Sequence, residues 1–168
     1  MITIATEYSF DVLSRVDMAE VQNAVQQGLK EVATRYDFKG GDATIVLNPK
    51  EGEIQLEAAD DQQMRSLLEL VQQRLARRKV SLRALDVQPQ ERAGGDRVRR
   101  IIRLRQGIPA EKAREIIRFL RERHPKVKAQ QQDDQIRVSG PKKDELQSVM
   151  ATLRAEDFGL DLDFANYR

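Results

Sequence analysis

Apolar residues along this chain alternate between two rhythms, a mixed or period-two pattern over short stretches and a period of three to four over longer ones. The stretch "YSFDVLSRV" (8–16) is short and carries β-favouring Tyr, Phe and Val, so it predicts a strand. Behind it Val21, Ala24, Val25, Gly28, Leu29 and Val32 recur at helical spacing to about Arg35, with Asp17 placed as N-cap and Glu20 at the capping-box position. The loop "YDFKGGDA" stops that pattern with Gly40 and Gly41. Next, "TIVLN" and "EIQLEA" joined across 49–52 predict a hairpin, and Met64, Leu67, Leu68, Val71 and Leu75 a second amphipathic helix over 60–78. "ALDVQ" closes as a strand, which makes the order βαββαβ.

The second half repeats that order. "RVRRIIRLRQ" predicts a strand, "PAEKAREIIRFLRER" a helix with Pro109 in its first turn, and "KVKAQQQ" with "QIRVS" a hairpin turning at Asp133 and Asp134. "KKDELQSVMATLR" is the second helix and "LDLDF" the last strand. An offset of 82 lays Ile54 on Ile136, Leu56 on Val138, Met64 on Leu146, Ser66 on Ser148 and Val71 on Leu153, the mark of an internal duplication. The earlier helices match best at an offset of about 92, with Val21 on Ala113 and Val25 on Ile117. The ten-residue difference falls largely on "YDFKGGDA", an insertion peculiar to the first repeat. The expected fold is therefore α+β, a tandem of ferredoxin-like or RNA-recognition-like βαββαβ units over 1–90 and 91–168. Each is a four-stranded antiparallel sheet of order 4-1-3-2 with two helices on one face. In the second hairpin Val127, Ala129, Gln131, Ile136 and Val138 share one side, which leaves Lys128, Gln130, Gln132, Gln135, Arg137 and Ser139 on the open side.

Composition narrows the chemistry. With 40% hydrophobic and 33% charged residues the chain is of ordinary globular type, and no apolar run approaches the roughly 18 residues of a membrane span. The start "MITIATEYSF" lacks the basic and apolar regions of a secretory leader, so a cytoplasmic protein that does not engage membranes is expected. The absence of cysteine excludes disulfides, thiolate nucleophiles and cysteine-ligated zinc, and the single His124 leaves no histidine cluster for a metal. No cofactor is expected. Residues 1–90 carry 11 basic against 14 acidic side chains and residues 91–168 carry 18 against 13, so the second half is the basic one. That asymmetry favours an anionic partner, or a second half that faces the acidic first.

The blocks "SFDVLSRVDMAEVQNAV", "TRYDFKG", "KVKAQQQDDQIRVSGPKKDELQSVMATLR" and "LDLDFANYR", in this order and spacing, resemble the YajQ family of bacterial nucleotide-binding proteins nearly end to end. The resemblance implies two tandem ferredoxin-like domains and binding of nucleotides or RNA. In some members it implies recognition of cyclic di-GMP linked to transcription control. It also implies that the first strands of the repeats are exchanged, which would make 18–106 one domain and 1–17 plus 107–168 the other.

Three segments are candidates for that chemistry. The strand 97–105 puts Arg97, Arg99, Arg103 and Arg105 on one face with Ile101. Guanidinium forks there would suit phosphate, unless an exchanged strand lies beside "EIQLEA" and meets Glu53 and Glu57 as cross-strand ion pairs. On the open face Lys128, Gln130, Gln132, Gln135 and Arg137 offer charges and amides, but no aromatic, so standard RNA-recognition stacking is not expected. In the inserted loop Tyr36 and Phe38 would sandwich a base while Lys39 and the glycine amides hold phosphate. The alternative is that Phe38 plugs the core and Gly40 caps the helix. Neither glycine pair is followed by the Lys-Ser/Thr of a Walker loop. His124, before Pro125 at a helix end, suits the helix dipole better than catalysis. The expectation is a non-enzymatic nucleotide-binding sensor or adaptor for cyclic di-GMP, GTP, ATP or RNA, with Tyr36, Phe38, Lys39, Lys128, Gln130 and Arg137 at its site. The rival readings are an interaction module docking a transcription regulator through its open sheets and a nucleotide-processing enzyme.

Overall fold

The computed structural model describes residues 7–168. Strand β1 (Tyr8–Leu13) is followed by helix α1 (Met18–Thr34), whose N-cap Asp17 accepts hydrogen bonds from the Ala19 and Glu20 amides at 3.0 and 3.4 Å. A 3-10 turn (Tyr36–Phe38) leads into β2 (Thr44–Asn48) and β3 (Glu53–Ala58), a hairpin closed by Gly52 at φ +65°. Helix α2 (Asp61–Arg77) starts at Asp60, whose carboxylate accepts from the Gln63 amide at 2.8 Å. Then come β4 (Leu85–Val87), a two-residue strand β5 (Glu91–Arg92) absent from the sequence-based expectation, and β6 (Val98–Leu104). The chain finishes with α3 (Ala110–Arg123), β7 (Lys128–Gln132), β8 (Gln135–Gly140), α4 (Lys143–Ala155) and β9 (Asp163–Ala165). Pro109 is the N-cap of α3 rather than a residue inside it.

The chain divides into two compact units, here called central (Val16–Arg105) and terminal (residues up to Arg15 with Gln106–Arg168). The central sheet has the antiparallel order β2-β3-β6-β4, with β5 also on β6. The terminal sheet has the order β7-β8-β1-β9. Strand β1 thus lies between β8 and β9, and β6 lies between β3 and β4.

Period-two burial explains why each sheet has one covered face. In the central unit Ile54, Leu56, Ala58 and Ile102 are fully buried against Val21 and Val25 of α1 and Met64, Leu67 and Leu75 of α2. In the terminal unit Phe10, Val12, Ile136 and Val138 meet Ala113, Ile116 and Leu120 of α3 and Val149 and Leu153 of α4. One residue breaks the pattern. Arg100, opposite Leu56 in the register, has inward parity, and its Nε donates to the Gln88 carbonyl at 2.8 Å.

The C-terminal segment continues past β9 through an irregularity. Asp11 faces Ala165, yet Ser9 exchanges both backbone hydrogen bonds with Arg168 at 3.0 and 3.1 Å, so Phe10 alone opposes Asn166 and Tyr167. That is a β-bulge, with Asn166 at φ +57° absorbing the extra residue. The bulge turns the Tyr167 ring to the covered face of the sheet, where it stacks on Phe10 at 6.3 Å between centroids.

Candidate functional site

The inserted loop sorts its two aromatics to opposite fates. Phe38 is 3% exposed and belongs to the central core, with the Arg35 guanidinium 5.1 Å from its ring centroid. Tyr36 is 88% exposed. Phe38 is thus the core plug of the second reading and has no face left for a base, which corrects the two-sided sandwich. Gly40 does not cap the helix either: α1 ends at Thr34 with Arg35 as its cap, and Gly40, at φ +75°, follows the 3-10 turn instead.

Side chains from outside the loop pin it down. Arg97 Nη1 and Nη2 donate to the carbonyls of Gly41 and Asp42 at 2.7 and 2.6 Å. Gln63 Nε2 donates to the Asp37 carbonyl at 3.3 Å while its Oε1 accepts from the Ala59 amide at 2.9 Å. The Gln63 amide packs so close to Gly41 that a Cβ there would collide with it. Arg35 closes the loop from its own base, donating to both carboxylate oxygens of Asp37 at 3.0 and 2.6 Å. This pairing holds the Asp37 carboxyl below the usual range and raises Arg35. What remains outward includes Tyr36, Lys39, Gly40 and Asp42, beside a cleft of about 550 Å³ between the end of α1 and the loop. Lys39 makes no ion pair among the described residues.

On the helix-free face of the terminal sheet, the register sets Lys128 opposite Ser139, Gln130 opposite Arg137 and Gln132 opposite Gln135, the grouping expected from alternation. Lys128, Gln130 and Gln132 are all exposed. Arg137 is not an unengaged phosphate ligand. Its Nε and Nη2 donate to Asp11 on β1 at 3.0 and 3.4 Å, and Asn166 Nδ2 donates to the same carboxylate at 2.7 Å. Asp11, only 4% exposed, is the one buried charged residue among those described. The Arg137 hydrogen bond is the largest influence on Asp11, outweighing burial and holding its carboxyl below the ordinary range.

The arginine strand β6 lies beside β3 and takes up the ion-pairing role. Arg97 and Arg99 lie 3.8 and 3.9 Å from Glu57, Arg103 lies 3.6 Å from Glu53, and Arg105 lies 3.7 Å from Asp86. Arg99 also meets Glu91 of β5 at 3.5 Å. These separations exceed the hydrogen-bonding distance expected for such pairs, so the strand is a charge ladder. At the end of α3, His124 Nε2 lies 2.9 Å from Thr152 Oγ1, whose own hydroxyl donates to the Ser148 carbonyl.

Sequence reasoning missed Asp11. Its signal was a lone acid between the inward residues Phe10 and Val12, a charge on the face away from the helices with a strand on either side. Gln63 and Arg97, as loop anchors, had no local signal, because their partners lie 26 and 55 or more residues away.

Two antiparallel sheets of matching order, each backed by two helices, with an anchored aromatic and basic loop and an amide-rich sheet face, define a duplicated α+β protein of binding type. The chain belongs to the family described as "Nucleotide-binding protein YajQ-like", whose model matches residues 8–168. It is 47% identical over 165 residues to a "Nucleotide-binding protein" of Carboxydothermus hydrogenoformans, covering 98% of this chain and all of that relative. A protein of the same description from Elusimicrobium minutum is 42% identical over 162 residues, covering 96% of this chain and 99% of its own. Another, from Geotalea daltonii, is 42% identical over 160 residues, or 95% of this chain and 98% of that one.

Proposed function

We propose that this chain binds a nucleotide without transforming it, through base stacking on Tyr36 and phosphate contacts from Lys39. The observation that carries the reading is the exposure of Tyr36 on a loop held by Phe38, Gln63, Arg97 and the Arg35–Asp37 pair. An aromatic left in water by a loop fixed at several points is pre-organised for a flat partner, and little ordering entropy is lost when one binds. The relatives' shared description names binding and no reaction, which supports a binder over a nucleotide-processing enzyme.

Lys128, Gln130 and the outer edge of Arg137 form a second surface for phosphate and base edges on the terminal sheet. The ligand classes in line with both surfaces are GTP, ATP, cyclic di-GMP or a short single-stranded RNA, and the role is that of a sensor or adaptor. The strand orders support a finer reading of the fold, two ferredoxin-like domains that have exchanged their first strands. The composition supports a cytoplasmic location. Calorimetric titration with GTP, ATP and cyclic di-GMP, followed by analysis of the recovered nucleotide, tests the proposal. Saturable binding with the nucleotide intact is expected. Product formation would replace it with an enzyme, and no binding by any of the three or by a single-stranded oligonucleotide would leave the rival reading, a module docking a transcription regulator.

A further inference from the structure

The duplication allows the same cleft to be compared in the two units, and the terminal copy has been rebuilt. The offset of 82 that matches α4 to α2 puts Lys143 where Asp61 stands and Gln147 where Arg65 stands. The strand registers extend the match, since Tyr8 faces Gly140 as Val98 faces Ala58, and Arg168 pairs with Ser9 as Glu91 pairs with Arg99. Tyr167 therefore stands where Gln90 stands, and Phe10 where Arg100 stands.

In the central unit a polar bridge crosses that cleft, with Gln90 Nε2 donating to Asp61 Oδ1 at 2.6 Å, and the space, about 630 Å³, mixes acids (Asp60, Asp61, Glu91, Asp96) with arginines. In the terminal unit no such bridge spans it among the described residues. The space, about 520 Å³, has an apolar floor of Phe10, Leu146 and Met150, and among the described residues no Asp or Glu side chain lines it. Its volume falls in the range of about 300–1,000 Å³ common to small-molecule pockets. Tyr167, 59% exposed, stacks on Phe10 and forms one wall. Lys143, three residues after the Gly140–Tyr8 pair, marks one end of the cleft, and Arg168, paired with Ser9, lines it while its charge helps hold the Asp11 carboxyl down. Arg154 is three helical turns away, over the Phe164 ring at 4.9 Å. Neither Lys143 nor Arg154 forms a salt bridge among the described residues.

A wall of aromatic ring, an apolar floor and a lysine with no salt bridge among the described residues are complementary to a flat ring that carries an anion at one end. We propose that this cleft is a mononucleotide site, the base lying against Tyr167 and Met150 and the phosphate at Lys143. The ligand class rests on the nucleotide reading above, whereas the site is separate from the Tyr36 loop. The bulge at Asn166 is what makes the site, because without the extra residue Tyr167 would fall on the opposite face of the sheet.

The test is calorimetric titration of the full chain with GMP, guanosine and inorganic phosphate, repeated on Tyr167→Ala, Lys143→Asp and Tyr36→Ala, with thermal unfolding of each. GMP should bind more tightly than guanosine or phosphate. Tyr167→Ala should weaken GMP binding about five- to a hundredfold and Lys143→Asp about tenfold or more. In a Tyr36→Ala background, which removes the loop's own stacking surface, the GMP binding that remains should still be weakened by Tyr167→Ala and by Lys143→Asp. Lys143 is exposed and tests the phosphate end even where Tyr167→Ala lowers the melting temperature. GMP binding by Tyr36→Ala that survives both cleft substitutions, or GMP binding lost with Tyr36→Ala alone, overturns the cleft site while the Tyr36 reading stands. A chain that binds GTP but not GMP overturns the cleft site alone, and one that binds no nucleotide at all overturns both.

Discussion

The two units each hold one peripheral segment and tie it down by different means. The central unit holds its inserted loop with an apolar plug, Phe38, and with hydrogen bonds from Gln63 and Arg97 to backbone carbonyls. The terminal unit holds its C-terminal segment to β1 with a buried carboxylate, Asp11, that accepts from Arg137 and Asn166. Their helix-free sheet faces differ in the same way. The central one balances four arginines on and flanking β6 with Glu53, Glu57, Asp86 and Glu91 in long, part-exposed pairs, whereas the terminal one concentrates its pairing on a single acid and leaves amides around it. A row of arginines is therefore not by itself a phosphate surface. The neighbouring strand decides how much of its charge is available, and here β3 takes most of it.

The comparison is broken most readily at the plug. Phe38→Ala should cost about 3–5 kcal/mol of stability, as large-to-small core substitutions of aromatics do, and denaturant unfolding would read it as a lowered midpoint. Tyr36→Ala, two residues earlier, should change stability by no more than about 0.5 kcal/mol. Similar midpoints for the two variants would mean that the loop is not anchored through Phe38.

The next effect belongs to the terminal unit. Asp11→Ala removes a charged acceptor with three donor contacts and should cost about 2 kcal/mol, somewhat less if water reaches the part-exposed Arg137. The folded Asp11 carboxyl titrates below its unfolded range of about 4, so its stabilisation is fully present above that range and is lost as the pH falls through the lower, folded value. Stability measured from pH 6 down to pH 2 should thus decline less steeply in Asp11→Ala than in the parent. Parallel profiles would show that Asp11 is not the titrating clamp. Smallest of all, Glu57→Ala or Arg103→Ala on the central ladder should cost about 1 kcal/mol or less and respond to salt, because the pairs are long and partly exposed.

Much of this architecture is legible in the sequence. Period-two and period-3.6 patterns place the four α-helices and both hairpins, and Asp17 marks one helix start as a cap. The duplication follows from side chains matched at one offset. What stays hidden depends on long-range register. The two-residue β5 is too short for any periodic signal, and the bulge at Asn166 is invisible because it is defined by partners more than 150 residues away. The Tyr167 cleft depends on that bulge and is hidden with it. In the loop, the sequence identifies an aromatic and basic insertion but not which ring turns inward. Tyr36 and Phe38 lie in one 3-10 turn, and their fates are set by the fit of Phe38 into the core.

The central claim is that the exposed ring of Tyr36 is a stacking surface for a nucleotide base. It is tested most directly by the affinity of the parent and of Tyr36→Ala for GTP and for a short single-stranded oligonucleotide, each at two salt concentrations. The account predicts binding weakened about five- to a hundredfold in the variant, with the salt dependence and the melting temperature retained. Equal affinity of the two folded proteins for both ligands would contradict it.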